Sequence, residues 1–275
     1  MLAETTLTPR LTVFTLGGDT PLTSYGANCV ALAGGAGTLL VDPLIAPPHA
    51  AEVAAALARR GFPAVTHVVV THHHTDHALG ASWFAARGAT VIAHQQCAAS
   101  MAERHGAIVT ERRATPSLAA LFADAQPHQP ALTFTDSLRV DLGDLTVEVR
   151  HLGPGHTDGD CVVLFPSEDA VACGDLIFSR YHFNYEEADL TGLSRGLDAL
   201  RALPATRFIP GHGQAAGPEI VDAQARYHAA VQRTIAAASS RADARVAIRG
   251  QFPGFELLLA IESALDRWPS QWGKT

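Results

Sequence analysis

One heptapeptide concentrates the side chains that could bind metal: Thr71-His72-His73-His74-Thr75-Asp76-His77. It directly follows the apolar, β-branched run at 67–70, which predicts a strand, and it precedes a predicted helix over 78–86. A strand that ends in polar residues delivers them to an open edge of a sheet, where connecting segments carry chemistry. The heptapeptide is therefore the first candidate for a catalytic loop.

The spacing inside this segment is His-x-His-x-Asp-His. Because side chains alternate along an extended chain, His72 and His74 point the same way and can bind one ion. Asp76 and His77 follow where the chain turns into the helix, so they suit a second ion about 3.5–4 Å from the first. The alternative is a solvated histidine-rich loop, with Asp76 as a helix N-cap.

Three later motifs each place a candidate ligand after a short predicted strand. His156 lies in a glycine-rich turn and would complete three-histidine ligation with His72 and His74. Asp175 follows Gly174, and its two carboxylate oxygens can bridge two cations. The third motif would complete the second site with its histidine: Pro210-Gly211-His212-Gly213. Taken singly, each motif is also compatible with an ordinary turn.

The elements that must position these residues alternate between strands and helices. Strands are predicted at 11–16, 28–33, 38–42, 67–70, 90–93, 138–142, 145–152, 161–165, 170–173 and 208–209. Helices are predicted at 47–60, 78–86, 98–107, 117–124, 193–203, 218–238 and 255–268. The glycine cluster at 34–37 is typical of a hairpin turn, since it matches no phosphate-binding pattern. Residues 97–130, which are predicted to be helical and then loop-like, lie between two motifs and would suit a lid over the site.

Composition excludes several classes of function. The chain has 275 residues, a formal net charge of −7, 47% hydrophobic residues and 17% charged residues. No basic run offers a footprint for a phosphate backbone, so we expect no nucleic-acid partner. No stretch reaches the length of a membrane span, and the first residues lack a secretory leader, so the sequence predicts a cytoplasmic protein.

The four scattered cysteines predict buried, reduced thiols. For Cys173, packing in the apolar strand is favoured over a role as a metal ligand.

Together the motifs HHHTDH, PGHTDGD, CGD and PGHG resemble the metallo-β-lactamase superfamily in its glyoxalase II-like ligand arrangement. The resemblance covers residues from about 10 to 215 and implies an α/β (α+β) fold, a four-layer αββα sandwich. It implies a first metal on His72, His74 and His156. It implies a second metal on Asp76, His77 and His212, with Asp175 as the bridge.

The resemblance implies a dinuclear metal-dependent hydrolase that attacks a carbonyl with a metal-bridging hydroxide. Two divalent ions are expected, with zinc favoured and iron or manganese as alternatives. Asp175 bridges the ions in this scheme, and Asp76 orients the nucleophile. Such enzymes hydrolyse β-lactams, lactones, thioesters, phosphodiesters or sulfate esters, and the scaffold does not choose among these substrates. Here the expectation is a small ester, lactone, thioester or β-lactam-like substrate.

Departures from the patterns of individual subfamilies narrow the range of expected substrates. Lys274 is the single lysine, whereas glyoxalase II uses several basic residues for glutathione. Phe178 stands where the quorum-signal lactonases have a tyrosine, although Tyr181 is near. Two alternatives to a hydrolase remain. The first is a mononuclear iron-dependent persulfide dioxygenase-like enzyme, which would use His72, His156 and Asp175. The second is a catalytically silent protein of this fold.

The remaining expectations concern organisation. Residues 1–215 are predicted to form the catalytic domain, and residues 216–275 a helical extension packed on the same domain. Arg180, Tyr181 and Asn184 lie in an aromatic, polar loop that would contact a small-molecule substrate, with loop packing as the alternative. Trp268 and Trp272 would suit the pocket rim or a homodimer interface, although helix packing is favoured. His94 is expected to be structural.

Overall fold

The computed structural model describes residues 1–268 and contains two β-sheets packed face to face. The first sheet has the spatial order β1-β2-β3-β4-β5-β6-β7, and β4 to β7 run parallel. Its strands are β1 (Ala3–Thr6), β2 (Leu11–Thr15), β3 (Asn28–Gly34), β4 (Gly37–Val41), β5 (Val65–Val70), β6 (Thr90–His94) and β7 (Leu132–Phe134). The edge strands β1 and β7 were not predicted from the sequence.

The second sheet has the order β12-β11-β10-β9-β8. Its strands are β8 (Ser137–Asp141), β9 (Thr146–His151), β10 (Cys161–Phe165), β11 (Ala170–Ala172) and β12 (Arg207–Ile209). β10 runs antiparallel to β9 and β11, whereas β12 runs parallel to β11. The chain therefore leaves β9, β11 and β12 in the same direction, and the three loops that follow these strands share one edge of the sheet.

Helices cover both outer faces. Those before β8 are α1 (Pro47–Arg59), α2 (Thr75–Ala78), α3 (Ala81–Ala85), α4 (Gln95–Ala114) and α5 (Ala119–Phe122). Those after β11 are α6 (Leu190–Arg201), α7 (Glu219–Ala237), α8 (Arg241–Gln251) and α9 (Ala260–Arg267). Short 3₁₀ helices lie at Pro21–Gly26, Pro166–Glu168 and Gly174–Leu176. The predicted four-layer αββα sandwich is confirmed.

Three apolar clusters explain why the layers stack. Alternation along β3 sends Val30 and Leu32 to the space between the sheets, where they meet Val147 and Val163 of the second sheet. The opposite side of the first sheet packs on α1, α3 and α4, and the opposite side of the second sheet packs on α6 to α9. Both faces of each sheet are thus buried, which accounts for the continuous apolar runs in the strands.

Several predicted boundaries were wrong. The helix predicted over 78–86 is two short helices, α2 and α3, separated by Leu79 and Gly80. Gly80 lies so close to the preceding loop that a Cβ would be 2.0 Å from the Pro43 carbonyl oxygen. The helix expected at 98–107 extends over Gln95–Ala114 as α4, and α8 was missed because its sequence is strongly charged. The helix predicted at 255–268 is α9, Ala260–Arg267.

The tail helices α7, α8 and α9 share one buried cluster with α6 and the second sheet. The predicted boundary at residue 215, between the catalytic domain and the helical extension, therefore stays a prediction. Trp268 packs against Tyr185, with ring centroids 4.6 Å apart, whereas Trp272 lies outside the described residues. Within residues 1–268, no helix combines the length and the apolar character that a membrane span requires.

Candidate metal centre

The heptapeptide continues from the end of β5 and turns into α2 at Thr75. The imidazole rings of His72 and His74 lie 4.8 Å apart, in edge-to-face orientation. Thr71 anchors the start of this loop, because its backbone N–H and its hydroxyl both donate to the buried Asp42 carboxylate, at 2.8 and 2.7 Å. The loop is therefore held at its base while its imidazoles face the second sheet.

The first group of candidate ligands contains His72, His74, His156 and Asp175. Nδ1 of His74 lies 2.9 Å from Nε2 of His156. Asp175 Oδ2 lies 3.3 Å from Nε2 of His156 and 3.6 Å from Nε2 of His72. Four potential donors thus converge on one point, which is the set that the sequence predicted for the first metal and the bridge.

The second group contains Asp76, His77 and His212. The Nε2 atoms of His77 and His212 lie 3.2 Å apart, and Oδ2 of Asp76 lies 3.5 and 3.4 Å from them. Asp175 faces this group as well, with Oδ1 at 3.2 Å from His77 and Oδ2 at 3.5 Å from His212. Its carboxylate therefore lies between the two groups, in the position expected of a bridge.

These donors fit divalent ions. Nε2 of His72 and Oδ1 of Asp175 are buried and have no hydrogen-bond partner among the described residues. Close pairs of imidazole nitrogens, with carboxylate oxygens beside them, form a borderline-to-hard donor set that suits zinc, manganese or iron. Buried polar atoms without partners cost stability, so an ion that engages them would stabilise the loop arrangement.

The close imidazoles and carboxylates of the site shift one another's pKa values. Burial lowers the pKa of His212, but the carboxylates of Asp175 and Asp76 outweigh burial and raise this pKa to about 9. Burial raises the pKa of Asp76, but His77 and His212 outweigh it and lower the pKa to about 2. His212 and Asp76 thus favour their charged forms, and an ion that binds His212 would displace its proton.

The backbone segments that follow β11 and β12 must lie close together for their side chains to share one site. Asp175 follows β11, and His212 follows β12, the neighbouring parallel strand. Gly211 lies between them, and a Cβ on this residue would lie 1.8 Å from Oδ1 of Asp175. Glycine at position 211 is therefore a steric requirement of the bridge position.

Outer hydrogen bonds orient several of the rings, and sequence reasoning missed their acceptors. Nδ1 of His77 lies 2.9 Å from Oδ2 of Asp42, and Nδ1 of His212 lies 3.0 Å from the Tyr25 carbonyl oxygen. Asp42 was interpreted as the end of a hairpin strand. The sequence feature that could have identified Asp42 is a carboxylate directly before Pro43, at the end of an apolar strand. In the structure, the φ of +55° at Asp42 shows that the chain turns sharply there.

Aromatic rings back the ligands on the side of the second sheet. Phe178 stacks on His212 with centroids 4.7 Å apart, and Phe183 meets the edge of His156 at 5.2 Å. The tail holds this loop, since Gln224 of α7 accepts a hydrogen bond from the Phe178 N–H at 2.9 Å. The aromatic side chains exclude water from one side of the centre.

A cavity of about 350 Å³ opens beside the centre, with Phe178 in its lining. The more exposed ligands, His74 and Asp76, line it, and Glu187 contributes a carboxylate that the sequence analysis did not single out. Further lining residues come from the 3₁₀ helix near the N-terminus, from α4 and from the loop after Asp175: Tyr25, Arg104, Ile108, Arg112, Asn184 and Glu186. Arg104, Ile108 and Arg112 recur every four residues, so one face of α4 forms a wall of the cavity. The lid expected from residues 97–130 stays a prediction.

The three predicted substrate contacts lie in different surroundings. Asn184 lines the cavity. Tyr181 is buried, with its hydroxyl donating to the Gly18 carbonyl oxygen at 3.3 Å and its ring 5.5 Å from His212. Arg180 has a φ of +61° and does not line the cavity. Cys173 is buried beside the centre and belongs to none of the candidate ligand groups among the described residues.

His94 stacks on His151, with ring centroids 3.9 Å apart. Its Nδ1 accepts a hydrogen bond from the Gln96 N–H, which caps α4. Nε2 of His94 lies 2.9 Å from the Thr135 carbonyl oxygen. These contacts place His94 in a structural position outside both ligand groups.

Comparison with known proteins places this geometry in a family. The model of the metallo-beta-lactamase superfamily matches residues 22–212, which include both ligand groups. The chain belongs to the metallo-β-lactamase superfamily. The family predicted from the four motifs is thus confirmed.

Individual members of the superfamily match to different extents. A metallo-beta-lactamase type 2 from Bacteroides fragilis is 33% identical over 98 residues, which cover 34% of this chain and 39% of that protein. A hydroxyacylglutathione hydrolase from Methylococcus capsulatus is 29% identical over 218 residues, which cover 78% of this chain and 70% of that protein. The superfamily match and these hydrolase relatives support a metal-dependent hydrolase.

Among solved structures, a metallo-beta-lactamase from Pontibacter korlensis aligns with a TM-score of 0.66 and 19% sequence identity. The alignment covers 81% of this chain and 96% of that chain. At this level of identity the likeness shows a shared fold. Divalent metal binding is supported instead by the superfamily match and by the two ligand groups.

Proposed function

We propose that this protein is a dinuclear, zinc-dependent hydrolase of a small ester, lactone, thioester or β-lactam-like substrate. The observation that carries the proposal is the carboxylate of Asp175, which lies within 3.6 Å of four imidazole nitrogens drawn from both ligand groups. A carboxylate placed in this way can bridge two cations. His72, His74 and His156 would hold the first ion, and Asp76, His77 and His212 the second.

When bound, the two ions would lower the pKa of a water molecule and stabilise negative charge on a carbonyl oxygen. The protein's own residues supply position and exclusion of water. The mostly buried Asp76 lines the cavity and can accept a hydrogen bond from an attacking water. Phe178 and Phe183 shield the rings of His212 and His156, so the reaction would proceed where electrostatic interactions are strong.

The size of the cavity and the relatives guide the choice of substrates. About 350 Å³ is the size of a small-molecule site. The relative from Methylococcus capsulatus is a hydroxyacylglutathione hydrolase, so acyl thioesters belong in the first screen beside esters, lactones and β-lactams. The same metal-binding residues would serve for each of these substrates, so they do not identify the substrate. We therefore propose the class of reaction and leave the substrate to the screen.

The first experiment is elemental analysis of the protein purified without added metal or chelator. We expect about two zinc atoms per chain and hydrolysis of at least one carbonyl substrate in the screen. His74→Ala and Asp175→Ala should abolish turnover while circular dichroism shows an intact fold. His94→Gln is the control, since His94 lies outside both ligand groups, and it should retain activity.

Two outcomes would overturn the proposal. Turnover that persists in a metal-free double variant would show that the ligand groups do not perform the reaction. One iron per chain, together with sulfur-dependent oxygen uptake, would replace the hydrolase with the persulfide dioxygenase-like enzyme. The cytoplasmic location and the homodimer stay predictions, and size-exclusion chromatography with light scattering tests the latter.

A further inference from the structure

The rings of the metal centre do not all face it in the same way. His72, His77, His156 and His212 each direct Nε2 toward Asp175, at 3.2 to 3.6 Å. His74 is turned around: its Nδ1 lies beside the first group, 2.9 Å from Nε2 of His156, and its Nε2 points outward. For His74 to bind an ion through Nδ1, its proton must sit on the outward Nε2.

Glu187 is placed to hold that proton. Its Oε1 lies 3.3 Å from Nε2 of His74 and 3.3 Å from Nε2 of His73. The guanidinium of Arg104 on α4 lies 2.5 Å from the same oxygen through Nη1. Glu187 is half-buried, so the ion pair with Arg104 restricts the carboxylate to this position at the cavity wall.

The three residues His73, His74 and Glu187 are close enough to hold an ion of their own. Two features oppose this use. Arg104 already places a positive charge on the only oxygen of Glu187 that faces the rings. His74 would also have to bind ions through both of its nitrogens, which requires loss of the last ring proton. The cluster is therefore better suited to orienting a ligand than to binding a third ion.

We propose that Glu187 is a positioning residue of the metal centre, which accepts the Nε2–H of His74 and so leaves Nδ1 free to bind the first ion. Arg104 fixes Glu187 in turn. This inference rests on the proposed function, because it assumes that His74 is a ligand. Outer-shell carboxylates of this kind set the tautomer and orientation of metal-binding histidines, and their loss weakens metal binding by about 10- to 100-fold.

The chain offers a matched control in the adjacent residue. Glu186 also lines the cavity, but it is exposed, and its carboxylate contacts none of the rings of the described residues. Glu186→Ala removes the same charge from the same cavity as Glu187→Ala. A general effect of charge on ion affinity would therefore appear in both variants, whereas an effect through His74 would appear only in the second.

The experiment measures zinc affinity by competition with a chelator, for the full chain and its variants. We expect Glu187→Ala to weaken one of the two zinc ions by about 10- to 100-fold, and Glu186→Ala to match the unaltered protein. Glu187→Gln should restore part of the loss, because its amide oxygen still accepts the N–H. The double variant Glu187→Ala with Arg104→Ala should resemble Glu187→Ala, which excludes an effect of the released guanidinium.

A spectroscopic measurement separates positioning from mere stabilisation. In the cobalt-substituted protein, Glu187→Ala should alter the visible ligand-field spectrum. In the zinc-loaded protein, the ¹⁵N signal of the His74 Nε2–H should shift, because this N–H loses its charged acceptor. A lower melting temperature with unchanged spectrum and unchanged ion affinity would overturn the inference. So would three ions in the unaltered protein and two in Glu187→Ala, which would make Glu187 a ligand.

The failures of the two proposals can be told apart. If the unaltered protein binds no divalent ion, the proposed function fails and the inference falls with it. If the unaltered protein binds two ions and Glu187→Ala binds both equally well, the proposed function stands and Glu187 has no positioning role.

Discussion

Asp42→Asn tests how far the centre depends on a residue outside the two proposed ligand groups. The Asp42 carboxylate is buried and makes three short contacts: it accepts from the Thr71 N–H at 2.8 Å and from the Thr71 hydroxyl at 2.7 Å, and it lies 2.9 Å from Nδ1 of His77. Asparagine has the same shape and tolerates the φ of +55° at this position, so the backbone need not move.

The effect follows from the chemistry of the replaced oxygen. The amide oxygen can still accept the Thr71 N–H, but the amide nitrogen would face the Thr71 hydroxyl and Nδ1 of His77. The N–H of His77 loses a charged acceptor, a contribution of about 1.5–3 kcal/mol. The ring then favours the tautomer that carries its proton on Nε2, the nitrogen that faces Asp175. Since about 1.4 kcal/mol is a factor of ten, we expect about 10- to 100-fold weaker binding of one ion.

The assay is competition for zinc between the protein and a chelator, with the fold checked by circular dichroism. Asp144→Asn is the control, because the Asp144 carboxylate also accepts a backbone N–H, from Gly35 at 2.7 Å, but lies in an exposed hairpin far from the ligands. The control should bind two ions as the unaltered protein does. Unchanged affinity at both sites in Asp42→Asn would refute the argument that this carboxylate sets the tautomer of His77.

Two further outcomes test other parts of the fold. Gly211→Ala should displace the Asp175 carboxylate and lower the number of bound ions, since a Cβ would lie 1.8 Å from Oδ1, whereas Gly250→Ala, with open space around it, should leave metal content unchanged; equal content in both variants would contradict the steric reasoning. Burial lowers the pKa of His228 to about 3, so only the unfolded chain gains this proton as the pH falls below about 6.5, and stability should decrease by up to about 1.4 kcal/mol per pH unit between pH 6 and 4. Urea unfolding of the metal-free protein should show a shallower decrease in His228→Gln, and parallel profiles for the two proteins would contradict the assignment.

The sequence by itself determined the candidate ligands and the layers. Each motif follows a short apolar strand, and strands that run in the same direction bring their final residues to one edge, so the spacing along the chain already indicates which residues meet. His156, Asp175 and His212 were predicted in this way, and in the structure Nε2 of His156 and Nε2 of His212 lie 3.3 and 3.5 Å from Oδ2 of Asp175. The four-layer sandwich was implied by the resemblance of the four motifs to the superfamily, and the continuous apolar runs of the strands agree with it, because each sheet buries both faces.

Only the tertiary structure decided which residues support the ligands. Asp42 reaches His77 across 35 positions of the chain, and Glu187 reaches His74 across 113 positions. Such contacts depend on the path of irregular loops and on the rotation of each ring about its own bonds, and neither quantity has a period that a sequence displays. Local patterns therefore identify the groups that can bind an ion, whereas the nitrogen that each ring presents is set by partners that folding brings from elsewhere in the chain.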